Sequence, residues 1–380
     1  MMSISDLPLE GVRVLDFSQF LAGPYASLRL ADLGADVVKV ERAGKGDLSR
    51  YLYVSNVSVE GESTIFHAIN RGKRSLEIDL KTDTDRARLQ DLVAGADIVI
   101  QNFRPGVIER LGFGYEAVKA LNPKIIYGSI SGYGADTEWS ALPGQDLLTQ
   151  ARSGVMWLSG GADDGPVAIG LPVADMLAGA ALAQGLLALL FRRERTGKGG
   201  LVETSLLEAI TDLQFELLTT HLNDGGRLPE RQRNNPAHAY LAAPYGVYRT
   251  ADGHIALGMN DLGELWTHFG VETPLAGLDA FRDRDAVSAA LGTALARHST
   301  DHWMEIAMAQ DFWAAPVLSW DETLASGVLQ QLDMLQSVAL KDGPLHTTAI
   351  PMRIDGERPK STLAAPQLGT ANALLESGWS

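Results

Sequence analysis

The chain has 380 residues, of which 46% are hydrophobic and 21% are charged, and its formal net charge is −15. This length exceeds what one compact core usually holds, so we expect one large domain or two intertwined domains with little disorder. The acidic balance argues against broad binding to nucleic acid or anionic membranes, and the absence of cysteine excludes thiol catalysis, thiolate metal sites and disulfides.

The first third of the chain alternates short apolar runs with helical patterns. The predicted strands are Gly11–Ser18, Val37–Glu41, Ser75–Leu80, Ala96–Phe103 and Pro123–Ser131. A helix is predicted after the first strand, with Pro24 just inside it and Gly34 just past its end, and another at Thr82–Ala94. Two short helical runs precede the fifth strand. This alternation predicts an α/β fold with a mostly parallel sheet and helices on both faces.

Sheets of this kind bind ligands beyond the carboxyl ends of their strands. The loops predicted there are SQFLAGP, ERAGKGD, QNFRPG and SGYG, and all four are rich in glycine or polar side chains. No GxGxxG or GxxxxGK[ST] pattern follows any of the strands, so a nicotinamide site and a P-loop nucleotide site both lose their main support.

The most apolar segment of the chain is Leu171–Gly200. From Met176 to Phe191 every residue except Gln184 is apolar, and Asp175 stands at the head of the run. This core of about 16 residues is shorter than the roughly 20 needed to span a bilayer, so we predict a buried helix that ends at the cations and glycines of RRERTGKGG. Asp175 is expected to cap the helix, to act as a nucleophilic or acid/base carboxylate held anionic by the helix end, or to do both.

The second half of the chain has a different character. The polar stretch His221–His238 is predicted to connect to a second unit, in which PYGVYRTADGHIALG predicts a hairpin with its turn at TADG. Helical patterns fill Asp261–Gln310, and a return segment begins near Trp313. The N-terminus has no basic start followed by a long apolar run, so we predict no secretory signal and a cytoplasmic protein.

Five ordered blocks of this sequence resemble class III CoA-transferases, the family of formyl-CoA:oxalate and carnitine CoA-transferases, to which alpha-methylacyl-CoA racemase is related. The blocks are VLDFSQFLAGPYASLRLADLGADVVKVE, NRGKRSLEIDLKT, NFRPGVIERLGFGYE, GLPVADMLAGAALAQGLLALLFRRERTGKG and VETSLLEA. The resemblance implies a Rossmann-like large domain from residues 1–224 with a C-terminal return at 311–380, a smaller α+β domain at 225–310, and an interlocked homodimer.

The same resemblance implies that Asp175 is the catalytic nucleophile. Its carboxylate would attack an acyl-CoA thioester to form a mixed anhydride, and the released CoA thiolate would convert this to an aspartyl-CoA thioester. A free carboxylic acid would then take the CoA. Coenzyme A is a substrate in this scheme, and no metal or redox cofactor is expected.

CoA carries a 3′-phosphate and a pyrophosphate, so an acidic protein must supply local cations for them. Family correspondence points to residues near the predicted strand ends, with solvated surface charges as the alternative for each cation and core packing for the aromatic side chain. These residues are Arg42, Ile78, Lys81, Asn102, Phe103, Arg104 and Arg110.

The racemase relatives use a His in a GHD-like tripeptide, which here is Gly144-Gln145-Asp146. Because Gln cannot exchange a proton near neutral pH, the sequence favours a transferase over a racemase. Asp261 is the uncertain match to the downstream Glu of the racemases. A non-catalytic acyl-CoA-binding protein remains an alternative.

The acyl pocket is expected to include Leu21, Gln145 and Asp146, with a helix cap as the alternative for Asp146. Formate-type enzymes carry Gln where Leu21 stands, so we expect an acceptor larger than formate or oxalate, such as a dicarboxylate or a branched or aromatic acid. Arg231 and Arg233 are candidates to meet a second carboxylate, but the sequence favours a solvated charge run as their explanation. Succinyl-CoA is the donor that the resemblance suggests.

Overall fold

The structure is a computed structural model that describes residues 7–54, 57–234, 236–271 and 278–379. Several predictions reach beyond these ranges, among them the large domain at 1–224, which includes residues 55–56, and the C-terminal return at 311–380, which includes Ser380. Met1–Asp6 of the N-terminus, Asn235 of the predicted connection and residues 272–277 of the predicted helical region lie outside the described residues.

Within the described ranges, strands and helices are interspersed along the chain. The strands are β1 (Arg13–Asp16), β2 (Asp36–Arg42), β3 (Ser58–Val59), β4 (Glu62–Ser63), β5 (Lys73–Ile78), β6 (Ile98–Gln101), β7 (Ile126–Ser131), β8 (Gly200–Ser205), β9 (Gly246–Arg249), β10 (His254–Leu257), β11 (Ala314–Pro316), β12 (Leu335–Val338) and β13 (Leu345–Thr348). The helices are α1 (Ala22–Asp32), α2 (Thr64–Asn70), α3 (Asp83–Ala94), α4 (Val107–Arg110), α5 (Tyr115–Leu121), α6 (Asp146–Ser153), α7 (Val173–Thr196), α8 (Leu206–Leu213), α9 (Phe215–Asn223), α10 (Leu262–His268), α11 (Arg284–Leu295), α12 (Thr300–Ala309), α13 (Trp320–Ala325), α14 (Val328–Gln331) and α15 (Leu374–Ser377).

The main sheet has the strand order β5-β2-β1-β6-β7-β8 in the described chain, and every pairing in it is parallel. This confirms the predicted α/β fold with a parallel sheet. The five predicted strands are present, with ends shifted by up to three residues. The sixth, β8, was not predicted, and it lies at the edge of the sheet directly after the apolar helix.

Alternating side chains of the sheet strands pack against helices on opposite faces. On one face Leu15, Val38 and Val99 join a core with residues of α3, α5 and α15. On the other face α7 packs on α1, β7 and β8. Gly128 of β7 is where α7 comes closest, because a Cβ there would lie 3.0 Å from Leu182. The helices therefore cover both faces, as the near-continuous Val and Ile runs predict.

Helix α7 is the predicted apolar helix, and it runs for 24 residues. It ends where the sequence indicates, since Gly197 adopts φ 70° and its N–H donates to the carbonyl of Arg193 at 2.7 Å. By length and composition α7 is apolar enough to cross a membrane, a property that a helix packed in a protein core shares. Its residues Ala178, Leu182 and Leu186 are buried in the described structure.

The chain divides into two compact units. One contains residues 1–149, 172–210 and 328–380, and the other contains residues 150–171 and 211–327. The predicted small domain, residues 225–310, falls inside the second unit. That unit has its own core around Tyr248, Leu291 and Trp303. Its hairpin β9–β10 is antiparallel, which confirms the TADG turn, and β11 extends it to three strands.

Candidate active site

Asp175 is the third residue of α7 and is partly buried. The expectation that it caps this helix is wrong. Pro172 occupies the N-cap position with φ −76°, and its side chain has no atom that can accept a hydrogen bond. The helix consequently begins before Asp175, so that the carboxylate lies within the first turn, where the amide groups still lack partners along the helix.

The cap of α7 comes from another part of the chain. Oδ1 of Asp146 accepts hydrogen bonds from the backbone amides of Ala174 at 2.7 Å and Asp175 at 3.2 Å. Asp146 is itself the first residue of α6. The alternative interpretation of Asp146 as a helix cap is therefore confirmed, but the helix that it caps is the one that carries Asp175.

This arrangement places two carboxyl groups at one helix end. Burial, together with the negative charge of Asp146, raises the pKa of Asp175 to about 7. Among the described residues the structure records no hydrogen bond or ion pair to the Asp175 carboxylate. The expectation that the helix end holds this group anionic is therefore wrong, because a desolvated carboxyl beside a second carboxylate is harder to ionise than one in water.

Helices α1 and α7 touch one turn beyond Asp175. A Cβ added to Gly179 would lie 2.5 Å from the carbonyl oxygen of Ala22, so only glycine permits this approach. Because residues four apart share a helix face, Asp175 lies on the same side of α7 as this contact. The start of α1 thus lies next to the turn that carries Asp175.

The loop before α1 is held by side chains from neighbouring strand ends. Lys39 Nζ donates to the carbonyl of Ser18 at 2.7 Å, and Asp47 Oδ1 accepts from the amide of Phe20 at 3.2 Å. Asn102 binds the backbone of Gln19 twice, accepting at 2.8 Å and donating at 2.7 Å. Phe20 is fixed in the left-handed region with φ 64°.

These contacts belong to a buried charged cluster at the carboxyl ends of β1 and β2. Its members are Asp16, Lys39, Glu41, Asp47, Arg50 and Lys73, and all of them are less than a tenth exposed. Lys39 pairs with Asp47 at 2.7 Å, and Arg50 pairs with Glu41 at 2.7 Å. Burial alone would raise the pKa of Asp47, but Lys39 holds it below its usual value. Sequence analysis missed this cluster, although a Lys inside the apolar run VVKVE was a signal for it.

Several residues predicted to bind CoA lie at this same edge of the sheet. Arg42 and Ile78 end β2 and β5 and are paired in register, and Asn102–Arg104 directly follow β6. Arg42, Arg104, Lys81 and Arg110 are exposed, whereas Ile78 is buried. Binding of CoA by this set stays a prediction.

Two of the predicted CoA contacts already have structural partners. The carboxamide of Asn102 is bound to the backbone of Gln19, so its role in the present structure is to hold the loop before α1. Phe103 packs against the core on the α3 side of the sheet, as its alternative interpretation expects. Contacts of Lys81 and Arg110 with a ligand also stay predictions.

Two glycines lie in close contact beside the predicted acyl-pocket residues Gln145 and Asp146. A Cβ on Gly144 would lie 2.6 Å from Cα of Gly132, so the segment before α6 lies directly against the loop after β7. Gln145 is exposed beside this contact, and Asp146 follows it. Leu21 is the N-cap residue of α1 and provides no side-chain cap. Sequence reasoning did not identify this glycine contact, since it joins residues distant in the chain.

The second unit accounts for three other candidates. Asp261 caps α10, where its carboxylate accepts from the amide of Glu264 at 3.0 Å. Arg231 is not a solvated charge, because its guanidinium donates to backbone carbonyls, among them that of Gly165 at 3.1 Å. Arg233 is exposed and lies 3.8 Å from Asp163.

A metal centre finds no support in the part of the chain that the structure describes, where no group of three His, Cys, Asp or Glu side chains is placed to hold an ion. The expectation that the reaction needs no metal or redox cofactor stays a prediction.

Known proteins resemble this chain along most of its length. The model of CoA-transferase family III matches residues 9–372. The succinyl-CoA:mesaconate CoA-transferase of Haloarcula hispanica is 42% identical over 255 residues, which are 66% of this chain and 63% of that protein, so the match spans less than two thirds of the relative. The acetyl-CoA:oxalate CoA-transferase of Acetobacter aceti is 32% identical over 380 residues, 97% of this chain and 95% of that protein.

Among solved structures, a CaiB/BaiF family protein from Brucella suis superimposes with a TM-score of 0.85 at 30% identity, covering 98% of this chain and 99% of that one. Sequence and structure therefore agree over nearly the whole length, and the chain belongs to CoA-transferase family III.

Proposed function

We propose that this protein is a CoA-transferase that moves CoA from an acyl-CoA donor to a free carboxylic acid, with Asp175 as the covalent nucleophile. The observation that carries the proposal is the position of Asp175. Its carboxylate has no ion-pair partner among the described residues and is partly desolvated, and its turn adjoins the start of α1 near the ligand-binding edge of a parallel sheet.

The proposed reaction is a series of acyl exchanges. An oxygen of the Asp175 carboxylate attacks the thioester carbonyl, a C–O bond forms, and the C–S bond breaks with its electron pair leaving on the CoA thiolate. The thiolate then attacks the Asp175 carbonyl carbon of the mixed anhydride and releases the donor acid as a carboxylate. The acceptor carboxylate attacks the aspartyl-CoA thioester to form a second anhydride, which the thiolate opens at the acceptor carbonyl. No proton or electron is consumed, so carboxylate and thiolate chemistry balance without a co-reactant.

The raised pKa of Asp175 supports this role. A carboxylate that is costly to ionise is a stronger nucleophile than a well-solvated one, and acylation removes its charge. With a pKa of about 7, a substantial fraction of the protein carries the ionised group near neutral pH. The site therefore combines reactivity with availability.

CoA is proposed to bind along the carboxyl ends of β2, β5 and β6. The exposed cations Arg42, Lys81, Arg104 and Arg110 are available for its phosphates. Phe103 is partly buried and leaves some apolar surface beside them, whereas Ile78 is buried and would contribute through its backbone at the strand end. Asn102 contributes through the loop that it holds.

The proposed acceptor is a dicarboxylate larger than oxalate, and the proposed donor is succinyl-CoA. The Haloarcula hispanica relative is named for succinyl-CoA and mesaconate, and the Acetobacter aceti relative for acetyl-CoA and oxalate. Leu21, at the start of α1, offers no hydrogen bond to a very small acid, which favours the larger acceptor. Gln145 is proposed to line the same pocket.

A racemase and a non-catalytic acyl-CoA-binding protein are the alternatives. The racemase needs a proton-exchanging group where Gln145 stands, and an amide does not exchange protons near neutral pH. It predicts entry of solvent deuterium at the carbon next to the thioester. A binding protein predicts CoA binding without turnover.

We also propose a cytoplasmic homodimer with interlocked chains. The apolar helix α7 leaves Phe191 66% exposed in the single chain, and α9 has no buried residue, so both have surface for a partner. Size-exclusion chromatography with light scattering tests the dimer, and a monomer at micromolar concentration contradicts it.

The function is tested by incubating the purified protein with acyl-CoA donors and free acids and identifying new thioesters by mass spectrometry. Transfer from succinyl-CoA to a C4 or C5 dicarboxylate is expected, with Asp175→Asn as the inactive control. Transfer to oxalate alone would contradict the pocket argument, and no transfer with any pair would contradict the function.

A further inference from the structure

We propose that Asp146 is a positioning residue of the transfer reaction: its carboxylate fixes the backbone of the turn that carries Asp175 and places a second negative charge beside the Asp175 side chain. This inference rests on the proposed function. It assigns to Asp146 an action through Asp175 instead of a contact with the acyl group.

The geometric half of the proposal comes from the hydrogen bonds. A single oxygen, Oδ1 of Asp146, accepts from two consecutive amides, those of Ala174 and Asp175. Pro172 supplies no side-chain cap, so Asp146 provides what the local sequence lacks. Binding two successive backbone amides restricts the rotation of this turn, and therefore the direction in which the Asp175 side chain leaves the helix.

The electrostatic half comes from the short distance between the two residues. A hydrogen bond from the Asp175 amide to Asp146 brings both carboxyl groups to one partly buried turn, where water screens them weakly. The pKa of Asp175 is about 7 because of burial and this second charge. When Asp175 attacks a thioester, its charge passes to the departing thiolate, so the repulsion is relieved as the covalent intermediate forms.

Other charges near α7 act elsewhere. The other ionisable groups on the elements that pack against α7 are Tyr25, Arg29 and Asp32 of α1, Tyr127 of β7 and Glu203 of β8. Arg29 and Asp32 form their own ion pair at 3.0 Å, and Glu203 is exposed. Asp146 is the charge that acts on Asp175.

Substitutions of Asp146 separate its geometric effect on the turn from its electrostatic effect on Asp175. Asp146→Asn keeps an oxygen that accepts at the helix end but removes the charge, whereas Asp146→Ala removes both. Asp146→Ser, which also caps helices without a charge, serves in case the Asn variant does not fold. Asp136→Asn is the matched control, because this exposed residue between β7 and α6 loses the same charge and makes no hydrogen bond to α7 in the described structure.

The measurement is the pH profile of kcat/KM for thioester exchange. For the wild-type protein, a pKa of about 7 makes the rate at pH 6 about 0.1 of the rate at pH 8. In Asp146→Asn this ratio rises above 0.1, because removing the second charge lowers the pKa of Asp175 while burial still keeps it above its ordinary value. In Asp146→Ala the ratio of the rates at pH 6 and pH 8 rises in the same way. The rate of Asp146→Ala at pH 8 is about tenfold lower than that of Asp146→Asn, because the turn is no longer held. Asp136→Asn keeps the wild-type ratio.

A second readout does not need turnover. In protein labelled with ¹³C at aspartate carboxyl groups, the NMR resonance missing from Asp175→Asn reports the titration of Asp175. A midpoint near pH 7 in the wild-type protein and a lower midpoint in Asp146→Asn support the inference even if no substrate pair is active. An unchanged midpoint, or an unchanged pH 6 to pH 8 ratio in an active Asp146→Asn protein, overturns it. Absence of transfer in the wild-type protein with the expected midpoints contradicts the proposed function alone.

Discussion

Two groups of carboxylates in this protein are both withdrawn from water but behave in opposite ways, although Asp175 is the less deeply buried of them. At the ends of β1 and β2, Asp47 and Glu41 each face a buried cation, and their pKa values stay below normal despite desolvation. At the start of α7, Asp175 faces a second carboxylate, and its pKa rises to about 7. The difference lies in the neighbours and not in burial.

The comparison separates structural charges from reactive ones. A carboxylate that is paired with a buried cation contributes to a fixed loop conformation, here that of Ser18–Phe20, and has little tendency to attack an electrophile. A carboxylate that lacks such a partner destabilises the folded protein when ionised, and forming a covalent acyl bond relieves that cost. The following predictions test this distinction.

The largest expected effect is the loss of transfer in Asp175→Asn. The amide is nearly isosteric but is not a nucleophile, so we expect the rate of thioester exchange to fall by about 10³-fold or more. The measurement is product formation followed by mass spectrometry. Asp136→Asn should keep the wild-type rate, and a comparable loss in that control would show that the assay reports general damage.

In the buried charged cluster at the ends of β1 and β2, Lys39→Met should strongly destabilise the fold. It leaves Asp47 buried without its cation, and breaking a buried pair in this way typically costs about 3–5 kcal/mol. Urea unfolding followed by circular dichroism measures the loss. Lys45→Met is the control, because Lys45 is exposed in the loop after β2. It should change the free energy of unfolding by about 0.5 kcal/mol or less. Equal stability of the two variants would contradict a structural role for the cluster.

At the start of α7 the effect of charge on stability should be the opposite, so that removing the charge of Asp175 stabilises the folded protein. The pKa of Asp175 is higher in the folded protein than in the unfolded chain, so the folded state binds the extra proton between about pH 4 and pH 7. Its contribution to stability is therefore complete below about pH 4 and is lost as the pH rises to about 7. Asp175→Asn should be more stable than wild type at pH 8 by roughly 2 kcal/mol, after allowance for partial exposure.

Thermal or urea unfolding at pH 4.5 and pH 8 measures this effect. The advantage of Asp175→Asn over wild type should be clearly larger at pH 8. An advantage that does not change with pH would mean that the folded protein does not raise the pKa of this group.

The smallest effect concerns an ordinary cap. Thr82 caps α3 from the adjacent position, where its hydroxyl accepts from the amide of Asp85 at 3.3 Å. Thr82→Ala should cost about 1 kcal/mol in urea unfolding and leave the pH profile of transfer unchanged. A shift of that profile would show that losing any helix cap disturbs the site, and would remove the distinction between this cap and the one that Asp146 provides.

Much of the fold follows from local patterns. The five sheet strands of the first 131 residues, helix α3, the glycine stop of α7 and the β9–β10 hairpin were all predicted, because alternation, apolar runs and turn residues act over a few positions. The strand β8, which was not predicted, follows a helix end rich in Gly and Lys. Its residues LVETS indicate a strand only weakly. It is a strand because it pairs with β7 at the sheet edge.

The site was less accessible from sequence because its features join distant residues. Asp146 and the amides that it caps are separated by 28 and 29 positions, and the contact between Gly179 and Ala22 joins two helices. Local sequence therefore suggested that Asp175 caps its own helix and is held anionic. The importance of Asp175 came from family resemblance, whereas its raised pKa could be inferred only from its neighbours in space.

The most direct test of the account is to trap the covalent intermediate. The protein is incubated with an acyl-CoA donor without acceptor, quenched in acid and digested, and the peptides are analysed by mass spectrometry. The account predicts that CoA is attached through a thioester to Asp175, that hydroxylamine releases it, and that Asp175→Asn carries no adduct. An active wild-type protein with an adduct on a different residue, or an Asp175→Asn variant that transfers CoA at the wild-type rate, would contradict the account.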